Sequence, residues 1–410
     1  MKKVLAPFLF AFSAFAFAGS SLPPVAYPVS SANGGTGSNT YVNNWLPSLF
    51  PNTRVGIANT EGYAPAANFK FCAVGDSTTA GVVTIGTNAG TYTNGRLYSY
   101  PYRLAALLNQ AGIPASTDSW FGDAAAGTHS STLATYDSRI TQGTWVSDST
   151  FIVAGGNALK NFDNTSPLSF AVSNSNDTAD IYYVSRSTTG TFTWQVDGGS
   201  ATAVNTAGSD ALQKITIPLG AHAAHTISII GTVGTVEIAG MSLYDSVTRR
   251  VLIYNMGYGG SQTGTWALPN HPWNPGGGAF ALYGCKVSNI MLSINDWINS
   301  AGPSVTASNM ASIIAYAKAS GDVSIMTPIQ SQSLAGYTTL VQAQYEAAIL
   351  SQAAASNVPV YDLYTKFGAY SSNVTLGFMG SGDNYHPTPA GYTDLGSTVF
   401  WLFTYMLGIK

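Results

Sequence analysis

Apolar and polar positions follow two different periods along this chain, and the change of period divides it. Phe69, Phe71, Cys72, Ala73 and Val74 read as a buried strand that stops at a polar turn, Gly75-Asp76-Ser77-Thr78-Thr79. Leu104, Leu107 and Leu108 then recur at helical spacing within 100–110, with Pro101 in the first turn, where its missing N–H costs nothing. Between about 145 and 247 the period becomes two. Short alternating runs at 169–172, 180–184, 191–196 and 225–230 are separated by Gly, Asn and Asp, and Asp197-Gly198-Gly199 is a hairpin signal. The first pattern resumes with a strand at 251–254. A strand at 287–293, a helix at 305–319, a strand at 323–327, a helix at 337–355 and a strand at 358–363 follow. A last helix starts at Pro389 behind a Thr388 cap and runs to about Leu407. Strands separated by helices predict a parallel sheet, and the middle stretch predicts an all-β sandwich inserted into it. The α/β part then occupies 66–144 and 248–410, and the insert 145–247.

The turn at Ser77 carries the first candidate chemistry. A serine at the carboxyl end of a central strand, on a turn into a helix, points its hydroxyl into the crevice where open α/β sheets bind ligands. Its hydroxyl becomes a nucleophile only when a histidine takes the proton and a carboxylate holds that histidine. Gly382-Asp383-Asn384-Tyr385-His386-Pro387 supplies such a pair.

The N-terminus supplies an address. Lys2 and Lys3, an apolar run over 4–17 and Ala16-Phe17-Ala18 before Gly19 have the three parts of a secretory signal peptide, 1–18. A membrane anchor or buried helix is the alternative, but the run is short for a bilayer, and no other stretch is long and apolar enough. A secreted or periplasmic protein is expected. Residues 19–65 are rich in Pro, Gly, Ser and Asn, without a sustained period, and read as a loosely ordered lead-in. Within it Asn33-Gly34-Gly35-Thr36-Gly37 resembles a run common in phage tail fibres, which keeps a virion-associated origin as an alternative.

Charged residues make up only 9% of the 410 residues and the formal net charge is -3, so no basic stripe is available to track a phosphate backbone. Nucleic acid is thereby excluded as an expected partner, and no membrane contact is expected once the signal is removed. The cysteines are Cys72 and Cys285. Two separate buried thiols is the simpler expectation, with a bond open to them if their strands are neighbours. No cluster of Cys, His and Asp has metal-ligand spacing, so neither a metal nor another cofactor is expected. His222 and His225 fall in the insert as exposed or structural residues, whereas His129 and His271 could approach the crevice. The oligomeric state stays open.

Four blocks now stand in order: Gly75-Asp76-Ser77, Gly257-Tyr258-Gly259-Gly260, Asn295-Asp296 and Asp383-x-x-His386. They resemble the SGNH (GDSL-type) hydrolase superfamily over roughly 66–145 and 248–408. The resemblance implies a three-layer α/β/α parallel sheet, here with the inserted, jelly-roll-like all-β sandwich. It implies a carboxylic ester hydrolase with Ser77 as nucleophile, His386 as general base and acid, and Asp383 orienting the imidazole. The oxyanion hole would be the backbone N–H groups of Ser77 and Gly260 with the amide of Asn295. Gly257 or Gly259 could replace Gly260, and Phe121-Gly122-Asp123 is a competing second block. One position departs: Ser293 stands where the superfamily usually has glycine.

Similar proteins remove O-acetyl groups from polysaccharides, and some carry a carbohydrate-binding-like module, so the expected activity is a secreted acetylesterase working through an acyl-serine, with the insert at 145–247 as a candidate carbohydrate-binding module. Trp266, Trp273 and Trp297 are candidate platforms for sugar rings, with core packing as the other reading. A lipase, arylesterase or thioesterase on small or acyl-chain esters is the alternative enzyme. A non-catalytic glycan-binding or phage-tail-like protein is the alternative from another class.

Overall fold

The computed structural model describes residues 68–407, apart from 88, 125–131, 162–164, 189, 278 and 333–338. The expected signal peptide, the lead-in over 19–65 and His129 lie outside the described residues.

The chain enters on β1 (Phe69–Gly75), turns into the single-turn helix α1 (Ser77–Ala80) and then forms α2 (Tyr100–Gln110) and β2 (Ala115–Ser116). An antiparallel stretch follows: β3 (Ser119–Phe121), β4 (Ile140–Thr141), β5 (Val146–Val153), β6 (Gly156–Asn161), β7 (Leu168–Ala171) and β8 (Asn176–Ser185). It continues through β9 (Thr191–Val196), β10 (Thr202–Asn205), β11 (Ala211–Ala223), β12 (Thr226–Val233) and β13 (Val236–Tyr244). The chain returns on β14 (Val251–Gly257), α3 (Thr263–Ala267), β15 (Val287–Met291), α4 (Ile294–Ile298) and α5 (Pro303–Lys318). It closes with β16 (Asp322–Met326), α6 (Thr339–Ala355), β17 (Val360–Tyr361), α7 (Leu363–Phe367) and α8 (Pro389–Leu407).

The α/β strands form one parallel sheet in the order β17-β16-β15-β1-β14-β2. β1 lies at its centre, and the register aligns Gly75 with Gly257 on one side and Met291 on the other. The loops after β1, β14 and β15 therefore leave the sheet at one level. Alternation sorts the side chains of β1. Phe69, Phe71 and Ala73 pack with Leu104 and Leu108 of α2 and Leu395 and Val399 of α8, while Cys72 and Val74 pack on the opposite face with Ile313 and Ile314 of α5. The result is helix, sheet, helix.

The insert folds as two antiparallel sheets, β10-β9-β12-β7-β4 and β11-β8-β13-β6-β5, around a core that includes Phe170, Phe192, Ile229, Leu159 and Ile238. It is not a separate bead. β3 precedes residue 145 and yet pairs with β13. Phe121, Phe151, Val153 and Tyr182 belong to the same apolar cluster as Cys72, Tyr254, Trp273 and Tyr283 of the α/β part. Ring contacts join the two units, with centroids 4.9 Å apart for Phe151 and Trp273 and 5.0 Å for Tyr182 and Tyr283.

Two expectations are corrected. The strand expected at 358–363 is only Val360–Tyr361, because Asp362 accepts a hydrogen bond from the Thr365 N–H and starts α7. The two thiols expected to be separate form a disulfide, Cys72–Cys285, with Cα atoms 5.8 Å apart. Their strands are neighbours: Lys286 N–H donates to the Lys70 carbonyl at 2.8 Å, which brings the residue before β15 beside β1. The bond closes a loop of sequence separation 213, for which denatured-chain entropy alone amounts to about 5 kcal/mol. The Cys72→Ala/Cys285→Ala protein is expected to be less stable by about 2–5 kcal/mol, read from urea midpoints of the two proteins; equal midpoints would contradict this.

Candidate active site

Ser77 is the first residue of α1, and Asp76 before it caps that helix by accepting the Thr78 N–H at 2.9 Å. Both side chains are nearly enclosed. Burial pushes the Asp76 carboxyl up to about 7, offset in part by the Thr78 N–H. Across the crevice, the loop before α8 carries Asp383 and His386. Ser77 Oγ lies 2.8 Å from His386 Nε2, and His386 Nδ1 lies 2.7 Å from Asp383 Oδ2. An ionised carboxylate only accepts, so Nδ1 holds the ring proton and Nε2 is left to accept from the serine hydroxyl.

Asp383 is held ionised. Burial works against its charge, but His386 and the N–H groups of Tyr385 and His386 outweigh it and bring the carboxyl down to about 2. Its Oδ1 accepts those N–H groups at 2.8 and 3.0 Å, and its Oδ2 also accepts the Gly90 N–H at 2.7 Å. Only glycine fits at 90, since a Cβ there would stand 2.4 Å from Asp383 Oδ2 and 2.8 Å from His386 Nδ1. The loop is tied from both flanks. Tyr370 Oη donates to the carbonyls of Gly380 and Asp383, and Thr84 donates to those of His386 and Pro387.

The turn after β14 and the helix after β15 leave the sheet beside the end of β1. Tyr258 N–H donates to the Gly75 carbonyl, Gly259 N–H to that of Ala124 and Ser261 N–H to that of Tyr258. Gly260 N–H has no acceptor among the described residues, and neither has that of Ser77. Gly260 sits at φ +74°, a left-handed conformation natural to glycine. Asn295 Nδ2 donates one hydrogen to the Ser261 carbonyl at 3.0 Å, leaving its second free to point elsewhere. Gln262 Nε2 returns a bond to the Asn295 carbonyl, and buried Asp296 accepts the N–H and hydroxyl of Thr263 and the hydroxyl of Thr306. Of the three glycines of the turn, Gly260 is therefore the one whose N–H is available. The competing Phe121-Gly122-Asp123 pairs with the insert instead. Ser293 takes φ +109°, so the departure from glycine is accommodated in a conformation that favours glycine.

Other expected residues fall elsewhere. Trp266, Trp273 and Trp297 are only 1%, 4% and 1% exposed, which corrects their reading as sugar platforms: Trp266 and Trp273 fill the cluster shared by sheet and insert, and Trp297 packs with Ile294 and Tyr345. His271 stacks on Trp273. His225 is buried between Asp197 and the Ala221 carbonyl. Asp177, His222 and Asp245 converge within 4.8 Å and are the described residues with a metal-like donor set. Each already has protein partners: Ser246 for Asp177, and Val247, His222 and Arg250 for Asp245. Gly90 and Thr84 have no sequence signal beyond a glycine- and threonine-rich loop, whereas Asp296 stands beside Asn295 in the motif.

Residues 239–393 match the family model described as GDSL-like lipase/acylhydrolase. The chain carries a GDSL-type acylhydrolase domain. That match contains Gly260, Asn295, Asp383 and His386; Ser77 lies upstream, beyond the insert. The domain's activity is hydrolysis of carboxylic esters. Among solved structures, a peptidoglycan O-acetylesterase aligns with a TM-score of 0.61 at 14% identity, covering 90% of this chain and 99% of that one. This is a likeness of fold, insert included. A lipase/acylhydrolase from Enterococcus faecalis aligns at 21% identity over 37% of this chain and 75% of its own, with a TM-score of 0.31. A family two carbohydrate esterase from Clostridium thermocellum aligns at 13% identity over 65% and 100%, with a TM-score of 0.29. No curated protein matches the sequence.

A small recess lies beside the Ser77 turn, lined by Asp76, Thr78, Met291, Ile294, Pro328, Ile329 and Tyr385 but not by Ser77 itself, with a cavity volume of about 10 Å³. Its far wall is braced from α6: Gln342 accepts the Ser331 N–H and donates to the Ile329 carbonyl. One turn further along α6, Glu346 is buried against Asp362; burial first, then the Asp362 charge, pushes its carboxyl up to about 9. Glu346 thus keeps its proton in the folded state and loses it in the unfolded state from its ordinary value upward, so stability falls as pH rises from about 4.5 toward about 9. Glu346→Gln, neutral throughout, is expected to remove that slope. Melting temperatures at pH 5, 7 and 9 should converge on, then exceed, those of the unchanged protein; parallel curves would contradict it.

Proposed function

We propose that the protein is a secreted esterase that removes O-acetyl groups from a polysaccharide. The observation that carries this is the relay of 2.8 and 2.7 Å linking Ser77, His386 and Asp383. In this reading Ser77 Oγ attacks the acetyl carbonyl while His386 Nε2 takes the hydroxyl proton, and ionised Asp383 stabilises the resulting imidazolium. The oxyanion lies against the N–H groups of Ser77 and Gly260 and the free Nδ2 hydrogen of Asn295, donors that commonly contribute a few kcal/mol each. His386 returns the proton to the departing sugar hydroxyl, leaving acetyl-Ser77. Water deprotonated by His386 then releases acetate and restores the serine.

In this reading the acetyl methyl enters the small recess lined by Thr78 and Ile329 beside the Ser77 turn. A glycan is favoured by the fold shared with a peptidoglycan O-acetylesterase. Export is favoured by the N-terminal signal pattern and by a structural disulfide, a bond that persists in oxidising compartments. Among the described residues no helix is long and apolar enough to cross a membrane. A purely glycan-binding role is disfavoured, since binding alone needs no intact proton relay.

A chromogenic acetyl ester is expected to be hydrolysed faster than its longer-chain analogues, and Ser77→Ala to abolish the reaction; activity surviving in that variant would sink the proposal. Acetate release from O-acetylated polysaccharide is the matching test of substrate. Ile329→Ala, which enlarges the recess, is expected to raise the butyrate-to-acetate ratio of kcat/KM by about tenfold or more. An unchanged ratio would remove the recess as the acyl site.

A further inference from the structure

The β5–β6 hairpin of the insert reaches the turn that carries Gly260. Asn157, the second residue of β6, is 3% exposed and accepts the Tyr258 hydroxyl on its Oδ1 at 3.1 Å. Its carbonyl accepts the Asp123 N–H at 2.7 Å, and the next residue, Ala124, accepts the Gly259 N–H at 3.0 Å. Asn157 thereby supports two consecutive residues of the turn, 258 through its side chain and 259 through the Asp123-Ala124 segment. Tyr258 is held at two ends: its N–H is bonded to the Gly75 carbonyl of β1, and its hydroxyl to the insert.

We infer that Asn157 is a positioning residue for the oxyanion hole, acting through Tyr258 on the N–H of Gly260. This rests on the esterase reading above, in which that N–H is a donor. Gly260 follows the two clamped residues, and its N–H is kept from internal acceptors by the conformation the clamp imposes. A donor without an acceptor is retained only where the backbone around it is fixed, since a looser turn could rotate the N–H toward a neighbouring carbonyl or solvent. The clamp is anchored in packed material. Phe151, Val153, Ala154 and Ala158, on either side of Asn157 in the hairpin, lie in the apolar cluster that runs into the α/β sheet. The insert is then part of the catalytic apparatus and more than a tether for glycan.

The full-length protein and its Tyr258→Phe, Asn157→Ala and Asn157→Ala/Tyr258→Phe variants are compared on a chromogenic acetyl ester. Tyr258→Phe is expected to lower kcat about tenfold, less than the 10²–10³ lost when a donor is deleted outright, with KM within about twofold, because the donors act on the tetrahedral state. Asn157→Ala should match it, and the double variant should be no worse than either single change. The rate of phosphonylation of Ser77 by an organophosphate should fall with kcat. A loss confined to KM, or losses that add in the double variant, would overturn the inference. Where Asn157→Ala does not fold, Tyr258→Phe carries the test, since it deletes one oxygen and keeps the ring. Ser77→Ala run alongside separates the two claims. Activity remaining in it defeats the esterase reading itself, while an inactive Ser77→Ala with wild-type kcat in Tyr258→Phe defeats only the role of Asn157.

Discussion

The structure depends on the parallel pairing of β1 between β14 and β15, in a register that brings Gly75, Gly257 and Met291 to one level. Three loops from distant parts of the sequence leave the sheet together, and each carries one group of the site. Parallel strands need crossovers, and the β insert has entered the connection between β2 and β14, neighbours at one edge of the sheet. Register sets the rest: a one-residue slip of β14 would turn Leu252, Tyr254 and Met256 from the face they share with Cys72 and Val74 to the other. The same slip would break the bond by which the Tyr258 N–H holds its turn to the Gly75 carbonyl.

The insert shares a core with the sheet it interrupts. Phe151 on Trp273, and Tyr182 and Phe121 on Tyr283, make an apolar seam between the units. Buried Asp180 adds a polar one, accepting Lys214 and Thr216 of its own sheet and pairing with Lys70 of β1. Such a seam is closer to the interior of one domain than to the joint between two, so the insert and the crevice are expected to respond to the same changes.

Much of this was legible in the sequence because the signals were local. Ser77 and the Asp383-x-x-His386 spacing mark turns whose residue types serve one chemistry, and periods of two and 3.6 separate the sandwich from the α/β part. Illegible features depend on partners far away in the chain. A tryptophan in a loop reads alike whether it faces solvent or a neighbour supplied 120 residues earlier, as Phe151 is for Trp273. The disulfide required knowing that β1 and β15 are adjacent, which follows from strand order and not from either segment. Gly90 gave no warning, because its constraint is the space taken by Asp383 and His386, nearly 300 residues away. Ser293 departs from the glycine that the resemblance leads one to expect, and its φ of +109° is a conformation that glycine adopts more readily.

The bond between Cys72 and Cys285 spans the whole insert. Every residue from 73 to 284 lies inside one covalent ring, including all the sandwich strands and the Gly260 turn. A protease that severs a loop of the sandwich therefore opens the ring without dividing the molecule: Ser77 on one fragment and His386 on the other remain covalently joined. Only reduction would release the halves, so damage of that kind would be silent in a size measurement made without reductant.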